Sequence, residues 1–316
     1  MAITTPGLSG EGAAPCRLEQ PVALLRLQGA DTLRFLHGQS SQDLALAPPG
    51  AWLSTCCISP TARLRALAEV LVEEQGAVLV ITAGDGAALR QSLDRVLFPA
   101  DAVALGPLEP GRWLEPLGGE EPQSSPRAEG WRPGPGGGWW LGRALVLPED
   151  AALPAELAAL PPLEARALEQ RRLQLGIPAA PAELNDDTNP FELGLADRVS
   201  LSKGCYVGQE TLAKLATYDG VKQQLRCWRA GAGPVAPEPG LPLRGPGGER
   251  AGVITSALAL PAGEGWLGLA LVRRAALDQP QLWAGEGAPQ QGLQLAITVP
   301  PLFVPPPLGA GRPEGI

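Results

Sequence analysis

The segment Lys203-Gly204-Cys205-Tyr206-Val207-Gly208-Gln209-Glu210 holds the densest set of chemically capable groups in the chain. The thiolate is the reactive form of cysteine, and a nearby cation favours it. Lys203 stands two residues before Cys205, so in extended chain both side chains fall on one face. Gly204 permits close backbone approach and Gly208 permits a turn. Gln209–Ala216 can then form a helix whose N-terminal dipole also favours an anion. Cys205 is thus the leading candidate for a reactive thiol. The competing reading is a small buried hydrophobe, the commoner state of a free cysteine.

The remaining chemistry is sparse. Cysteines stand at positions 16, 56, 57, 205 and 227, an odd number with no C-x-x-C spacing, which fits reduced thiols rather than a disulfide framework. Cys56 and Cys57 follow a strand-like segment and Cys227 alternates with Leu225, so these three read as packing residues. The one histidine, His37, excludes a His-rich metal site and an H-E-x-x-H helix. Any Ser-His-Asp triad would have to use it. Its place before Gly38, at the end of a short predicted helix, favours a residue that satisfies the last helical carbonyls.

The elements that must position these groups alternate strand and helix in the first half. Val22–Leu27 reads as a strand, and Asp31 as the N-cap of a helix running to His37. In Arg63–Glu73 a period of two places Leu64, Ala66, Ala68, Val70 and Val72 on one face. Glu74-Gln75-Gly76 turns the chain into Ala77–Thr82, a hairpin. Ala87–Leu97 reads as a helix and Ala102–Leu105 as a strand. Between 106 and 142 the composition shifts to Pro, Gly, Glu, Ser and isolated Trp, which predicts a surface-loop insertion re-anchored by Trp139 and Trp140. Its Gly134–Gly138 run lacks the Lys-Ser/Thr of a phosphate loop. Leu163–Leu175 is a predicted helix stopped by Gly176 and Pro178. Beyond Val221, the apolar runs Leu225–Trp228, Ala251–Leu258, Trp266–Val272 and Leu293–Val299 between Gly/Pro turns predict a small antiparallel barrel. The resulting class is α+β, with a body over 16–220, a β-barrel over 221–300 and a Pro-rich, extended or disordered tail over 301–316.

Bulk composition bounds the partners. The chain has 316 residues, 45% of them apolar, enough for two cores. A net charge of −8 argues against broad phosphate-backbone binding, which needs clustered Lys and Arg. Met1–Pro15 lacks the cationic start and apolar run of a secretory signal, and no stretch approaches a bilayer span. The expectation is a cytoplasmic protein that engages neither nucleic acid nor membrane.

The octapeptide Lys203–Glu210 resembles the signature of the YgfZ family of folate-binding proteins, relatives of the glycine-cleavage T-protein, an aminomethyltransferase. Flanking stretches resemble the family in the same order. They are Leu25–Asp31 with Phe35–Gln39 and Asp43, Arg172–Pro178, Asn189–Leu195, Ala251–Ser256 and Leu269–Arg273. Together they cover most of 20–300. The resemblance implies an aminomethyltransferase-like folate-binding body with a C-terminal barrel, and tetrahydrofolate as the bound cofactor. It implies Glu192 facing the pterin, whose adjacent N–H and amino donors suit a bidentate carboxylate. Tyr206, Gln209 and Glu210 would complete the folate-contacting set, with Tyr206 and Gln209 shaping the pocket mouth.

Departures from the two families shape the expected role. T-proteins carry an acid where this chain has Cys205, and a carboxylate pair in the early hairpin. The corresponding Thr61–Ala66 has none, so acid-base help with aminomethyl transfer is not expected from it. Lys214 replaces the arginine that usually follows the YgfZ signature, which keeps charge but loses bidentate geometry. The resemblance then implies an accessory factor in assembly or repair of iron–sulfur clusters. Its partners would be cluster-assembly proteins or client iron–sulfur enzymes. Cys205 would contact a cluster iron, a persulfide or a folate-borne one-carbon unit, and Lys203 would keep it ionised. One thiol cannot hold a [2Fe–2S] cluster, so any transient cluster would be shared. The alternatives are a folate-dependent aminomethyl or methyl transferase and a non-catalytic scaffold.

Overall fold

The computed structural model describes residues 14–118, 129–233, 236–287 and 292–307. Two compact units emerge, and neither is continuous in sequence. Unit 1 takes Met1–Glu164 and Asp197–Gln209; unit 2 takes Ala165–Ala196 and Glu210–Ile316.

Unit 1 is built on an antiparallel sheet. Its strands are β1 (Cys16–Gln28), β2 (Trp52–Ile58), β3 (Leu64–Glu73), β4 (Gly76–Gly84), β5 (Ala104–Leu117), β6 (Trp131–Pro133), β7 (Trp139–Leu141) and β8 (Ala144–Pro148). They lie in the order β2-β3-β4-β1-β5-β8-β7-β6. The helices α1 (Thr32–Gln39) and α2 (Gly86–Val96) share a core with Leu25, Leu27, Ala66, Ala68, Val70 and Leu79. The short helix α3 (Ala155–Ala158) places Leu157 in a further cluster with Leu114, Leu145 and Leu147. The opposite set of the period-two pattern, Leu24, Leu71, Val78 and Val80, packs with Trp139 and Leu141. Both faces of the central strands are therefore buried, which explains how apolar runs there exceed simple alternation. The hairpin pairs Glu73 with Gly76 across Glu74-Gln75, as the sequence predicts.

Two expectations change in this unit. The stretch 106–142 is not a surface loop in its described part: β5 pairs with β1 from Cys16–Leu117 to Gln28–Ala104, and β6 and β7 form a further hairpin. Pro107, Pro110 and Pro116 disguise the strand, because proline is normally depleted in ladders. Gly111 is needed there, since a Cβ would stand 2.8 Å from Leu24 Cδ1 and 2.9 Å from the Leu147 carbonyl oxygen. Asp31 does precede α1 but does not cap it through its side chain. Its carboxylate instead accepts from the Ala102 N–H, at 2.9 Å, and from Arg34.

Unit 2 contains α4 (Ala165–Leu175), all but the first residue of α5 (Gln209–Thr217), and a closed barrel. The barrel strands are β9 (Gln223–Ala230), β10 (Pro242–Arg244), β11 (Arg250–Ala259), β12 (Trp266–Arg273), β13 (Gln281–Ala284) and β14 (Leu293–Thr298), in the order β10-β11-β12-β9-β14-β13. Four of these six match the apolar runs read from sequence; β10 and β13 are too short to show a period. Trp228 fills the barrel core with Leu243, Ile254, Leu282 and Leu295. The start of the expected Pro-rich tail is ordered. The Val304 N–H donates to the Gly194 carbonyl at 2.8 Å, and Phe303 fills the space a Cβ on Gly194 would need. The rest of that tail, 308–316, lies outside the described residues, as do 1–13.

Candidate functional site

The Lys203–Gln209 segment lies in unit 1 as a closed loop running back along α1. Lys203 is buried, and its ammonium donates to the carbonyls of His37, Ser40 (2.7 Å) and Gln42 (2.7 Å). An ammonium has three donors, so these bonds use all of them. The expected direct pairing of Lys203 with the Cys205 thiolate therefore gives way to a different role: the lysine satisfies the exposed carbonyls at the α1 C-terminus. The same ammonium sits 4.4 Å from the centroid of the Tyr206 ring. Burial lowers the Lys203 pKa to about 8.

Tyr206 also departs from expectation. It is 8% exposed, its hydroxyl is buried without a hydrogen-bond partner, and burial pushes its pKa up to about 12. Its ring packs against the Lys203 ammonium. Gln209 closes the loop, its amide donating to the Lys203 carbonyl at 3.1 Å and its N–H to the Tyr206 carbonyl. The Val207 N–H donates to the Gly38 carbonyl at 3.0 Å. Gly208, at φ +82°, makes the final turn, and a Cβ there would meet Ile58 Cδ1 and the Ser59 carbonyl oxygen at 2.7 Å. Cys205 is exposed. Every neighbour in this stretch with a long side chain is committed to holding the loop, and the thiol is what the loop presents.

The other cysteines follow the packing reading. Burial pushes Cys56 and Cys57 up to about 12. Cys227 is raised to about 12 as well, and its thiol donates to the Leu173 carbonyl at 3.3 Å. Among the described residues, no group of three or more His, Cys, Asp or Glu is arranged to hold a metal.

His37 does not satisfy helix-terminal carbonyls. Its Nδ1 accepts from the N–H groups of Leu44 (3.3 Å) and Ala45 (3.2 Å). Burial first, then the Lys203 charge, lowers its pKa from the ordinary 6.5 against the opposing pull of Asp43. The carbonyls it was expected to serve are taken by Lys203, a partner too distant in sequence to foresee.

Sequence reasoning also missed a buried acid. Glu69, on β3, is 3% exposed, accepting from Trp52 Nε1 at 2.7 Å and from the Ser54 hydroxyl. Its other oxygen lies 3.1 Å from Arg198 Nη2. The early hairpin thus does hold a carboxylate, a few residues beyond the acid-free Thr61–Ala66, with both oxygens engaged. An acid within the apolar stretch Ala66–Val72 of the strand was the available signal.

Glu192 and Glu210 belong to unit 2. Glu192 is 6% exposed, within the turn Asn189–Leu195, where its Oε2 accepts from the Asn189 N–H at 3.1 Å. Its carbonyl accepts from the Leu225 N–H at 2.7 Å. The next residue on that strand, Arg226, is 6% exposed, and its Nε lacks a hydrogen-bond partner. Glu210 is 83% exposed at its side chain and pairs with Lys214 at 2.7 Å. The hydrogen bond from Lys214 lowers its pKa. Glu210 and Lys214 therefore form a solvated helix pair.

No family model matches the chain. It is 29% identical over 283 residues, 80% of its length, to a chloroplastic protein of Arabidopsis thaliana whose name calls it a candidate transferase; the match spans 63% of that relative. Its fold is that of an aminomethyltransferase. The crystal structure of glycine cleavage system aminomethyltransferase T from Bartonella henselae superposes with a TM-score of 0.71, over 92% of this chain and 86% of that one, at 17% identity. No helix among the described residues is long and apolar enough to cross a membrane.

Proposed function

We propose that the chain is a tetrahydrofolate-binding accessory factor of the YgfZ type that serves assembly or repair of iron–sulfur clusters through the Cys205 thiol. The observation that carries this reading is the loop over 203–209. Lys203, Tyr206, Val207, Gly208 and Gln209 are all engaged in positioning, and the exposed thiol of Cys205 is what remains to meet a partner. Reaction through a thiol requires access and a rigid mount, and both are present.

The residues present are compatible with folate. Glu192 offers a buried carboxylate on a rigid turn, the type of acceptor that pterin N–H groups require. Arg226, on the adjoining strand, has an unsatisfied buried Nε that an acceptor on a ligand would satisfy. Tyr206 and Gln209 support the loop in this reading, and Glu210 is left to the solvent. A cluster would be cargo: Cys205 supplies one ligand and the others come from a partner or small thiols. The cytoplasm is the compartment this reading implies.

The second reading, a folate-dependent aminomethyl or methyl transferase, is favoured by the fold and by the name of the Arabidopsis relative. Against it, the hairpin acid Glu69 has both oxygens occupied by Trp52, Ser54 and Arg198, so it is not free to move a proton. Calorimetric titration of tetrahydrofolate into wild-type, Cys205→Ala and Glu192→Gln proteins tests the binding arm. Binding is expected to survive Cys205→Ala and to weaken at least about tenfold in Glu192→Gln, which loses one charge-assisted acceptor. Rescue of a strain lacking the protein tests the thiol. Full rescue by Cys205→Ala would rule the accessory role of this residue out.

A further inference from the structure

We infer that the surface formed by the C-terminal end of α5 and the adjoining ends of β9 and β12 docks a short acidic segment of a partner protein. All of it lies in unit 2, and the inference is independent of the reading of Cys205 and of folate. Its ground is a local gathering of cations on a chain whose net charge is −8. Lys214, Lys222, Arg273 and Arg274 are all exposed, and hydrogen bonds hold together the segments that bear them. Gln223 pairs with Arg273 in the β9–β12 ladder. The Arg274 N–H donates to the Lys222 carbonyl at 2.8 Å, and the Tyr218 N–H to the Lys214 carbonyl at 3.0 Å. Asp219, at φ +50°, turns the chain out of α5, and the Arg274 guanidinium fastens that turn through the Asp219 carbonyl and carboxylate. The cations are therefore mounted on ordered backbone.

The acids of this region are already engaged. Glu210 pairs with Lys214 and Asp219 with Arg274, while the charge of Asp278 bears on the buried Arg226. Among the described residues, the side chains of Lys222 and Arg273 form no hydrogen bond or ion pair. Tyr218 stands beside these cations with 76% of its surface exposed. Tyrosine and arginine are the side chains that most often anchor an interface, because each joins a broad apolar face to a polar tip. The number of free cations sets the class of partner. Two unpaired charges and two exposed, weak pairs match a few carboxylates, whereas a nucleic-acid backbone asks for a longer track of unpaired cations. The two guanidinium groups also suit carboxylates, which they can meet with two parallel hydrogen bonds.

Fluorescence anisotropy with the full-length chain tests the inference. The probes are a labelled poly-L-glutamate of roughly twelve residues and the same peptide with a central leucine. Both are expected to bind saturably at about 50 mM salt and to weaken about tenfold in Lys222→Glu/Arg273→Glu, with a further loss as salt is raised to about 200 mM. The variant Arg132→Glu/Arg229→Glu changes the net charge equally, on β6 and at the far end of β9, and is expected to stay within about threefold of wild type. Tyr218→Ala is expected to weaken the leucine-bearing probe about threefold more than the all-glutamate one, since only the former offers the ring an apolar contact. All of these side chains are exposed, so melting temperatures are expected to match wild type. Absence of saturable binding at low salt, or equal losses in the two double variants, would overturn the inference. So would tighter binding of a single-stranded RNA of the same length, or of vesicles containing phosphatidylserine, either of which assigns the surface to phosphate groups.

Discussion

Lys203 fastens the thiol loop by placing all three donors of its ammonium on backbone carbonyls. Its distance of two from Cys205 suggested a local pair, yet its ammonium binds the end of a helix 166 residues earlier. Replacing it with methionine leaves three carbonyls without a donor, and unfolding free energy at pH 7 is expected to fall by about 2–4 kcal/mol in urea titrations. The pH dependence has a definite sign. The folded pKa is about 8 against an ordinary 10.5, so between these values the unfolded chain holds the proton more tightly. Stability from this group is lowest below pH 8 and rises with pH across that window. The wild-type advantage over Lys203→Met should accordingly widen, and a narrowing gap contradicts the assignment. For His37 the lowered pKa means that the unfolded chain binds more protons near and below pH 6.5. Acid then destabilises the fold through this residue. Because the chain has a single histidine, its imidazole resonances report directly by NMR, and a midpoint above 6.5 would refute the packing described.

At the level of elements, amphipathic or alternating segments were legible and proline-bearing ones were not. The β3–β4 hairpin and α2 follow from periodicity, α4 from its helix formers with the stop signals Gly176 and Pro178, and four barrel strands from apolar runs bounded by Gly/Pro turns. β5 escaped notice because Pro107, Pro110 and Pro116 interrupt its pattern, while pairing with β1 holds it in place. Glu69 escaped because its neutralising partner Arg198 arrives from a remote segment. The turn at Gly208 is the element on which the thiol loop depends. Gly208→Ala places a methyl at positive φ against Ile58 and the Ser59 carbonyl, and a loss of about 2–4 kcal/mol is expected from urea melts. A change below about 0.5 kcal/mol would show that the turn relaxes freely, as surface sites do.

On the scale of the whole molecule, the divide between units does not follow the composition shifts. The barrel's unit includes α4 and the Asn189–Leu195 turn. Arg172 reaches Ser256 at 3.0 Å, the Cys227 thiol reaches the Leu173 carbonyl, and the Glu192 carbonyl accepts from Leu225. A fragment of residues 221–316 lacks these supports and should show no cooperative thermal transition by circular dichroism, in contrast to the full chain. A sharp transition in the fragment would mean that the barrel is self-sufficient. No composition cue marks such boundaries, because the chain passes from one unit to the other inside ordered structure instead of through a Pro/Gly linker.

The return of Asp197–Gln209 to unit 1 governs how this protein can be made. During synthesis the first 164 residues emerge with a helix whose terminal carbonyls await Lys203 and with Glu69 awaiting Arg198. Unit 1 is complete only after unit 2 has begun to leave the ribosome. Contacts of such separation fold slowly and leave apolar strands open to wrong partners. A newly made chain is therefore expected to be most open to aggregation until residue 209 is free, and products ending before it to be cut faster than the full chain in pulse proteolysis.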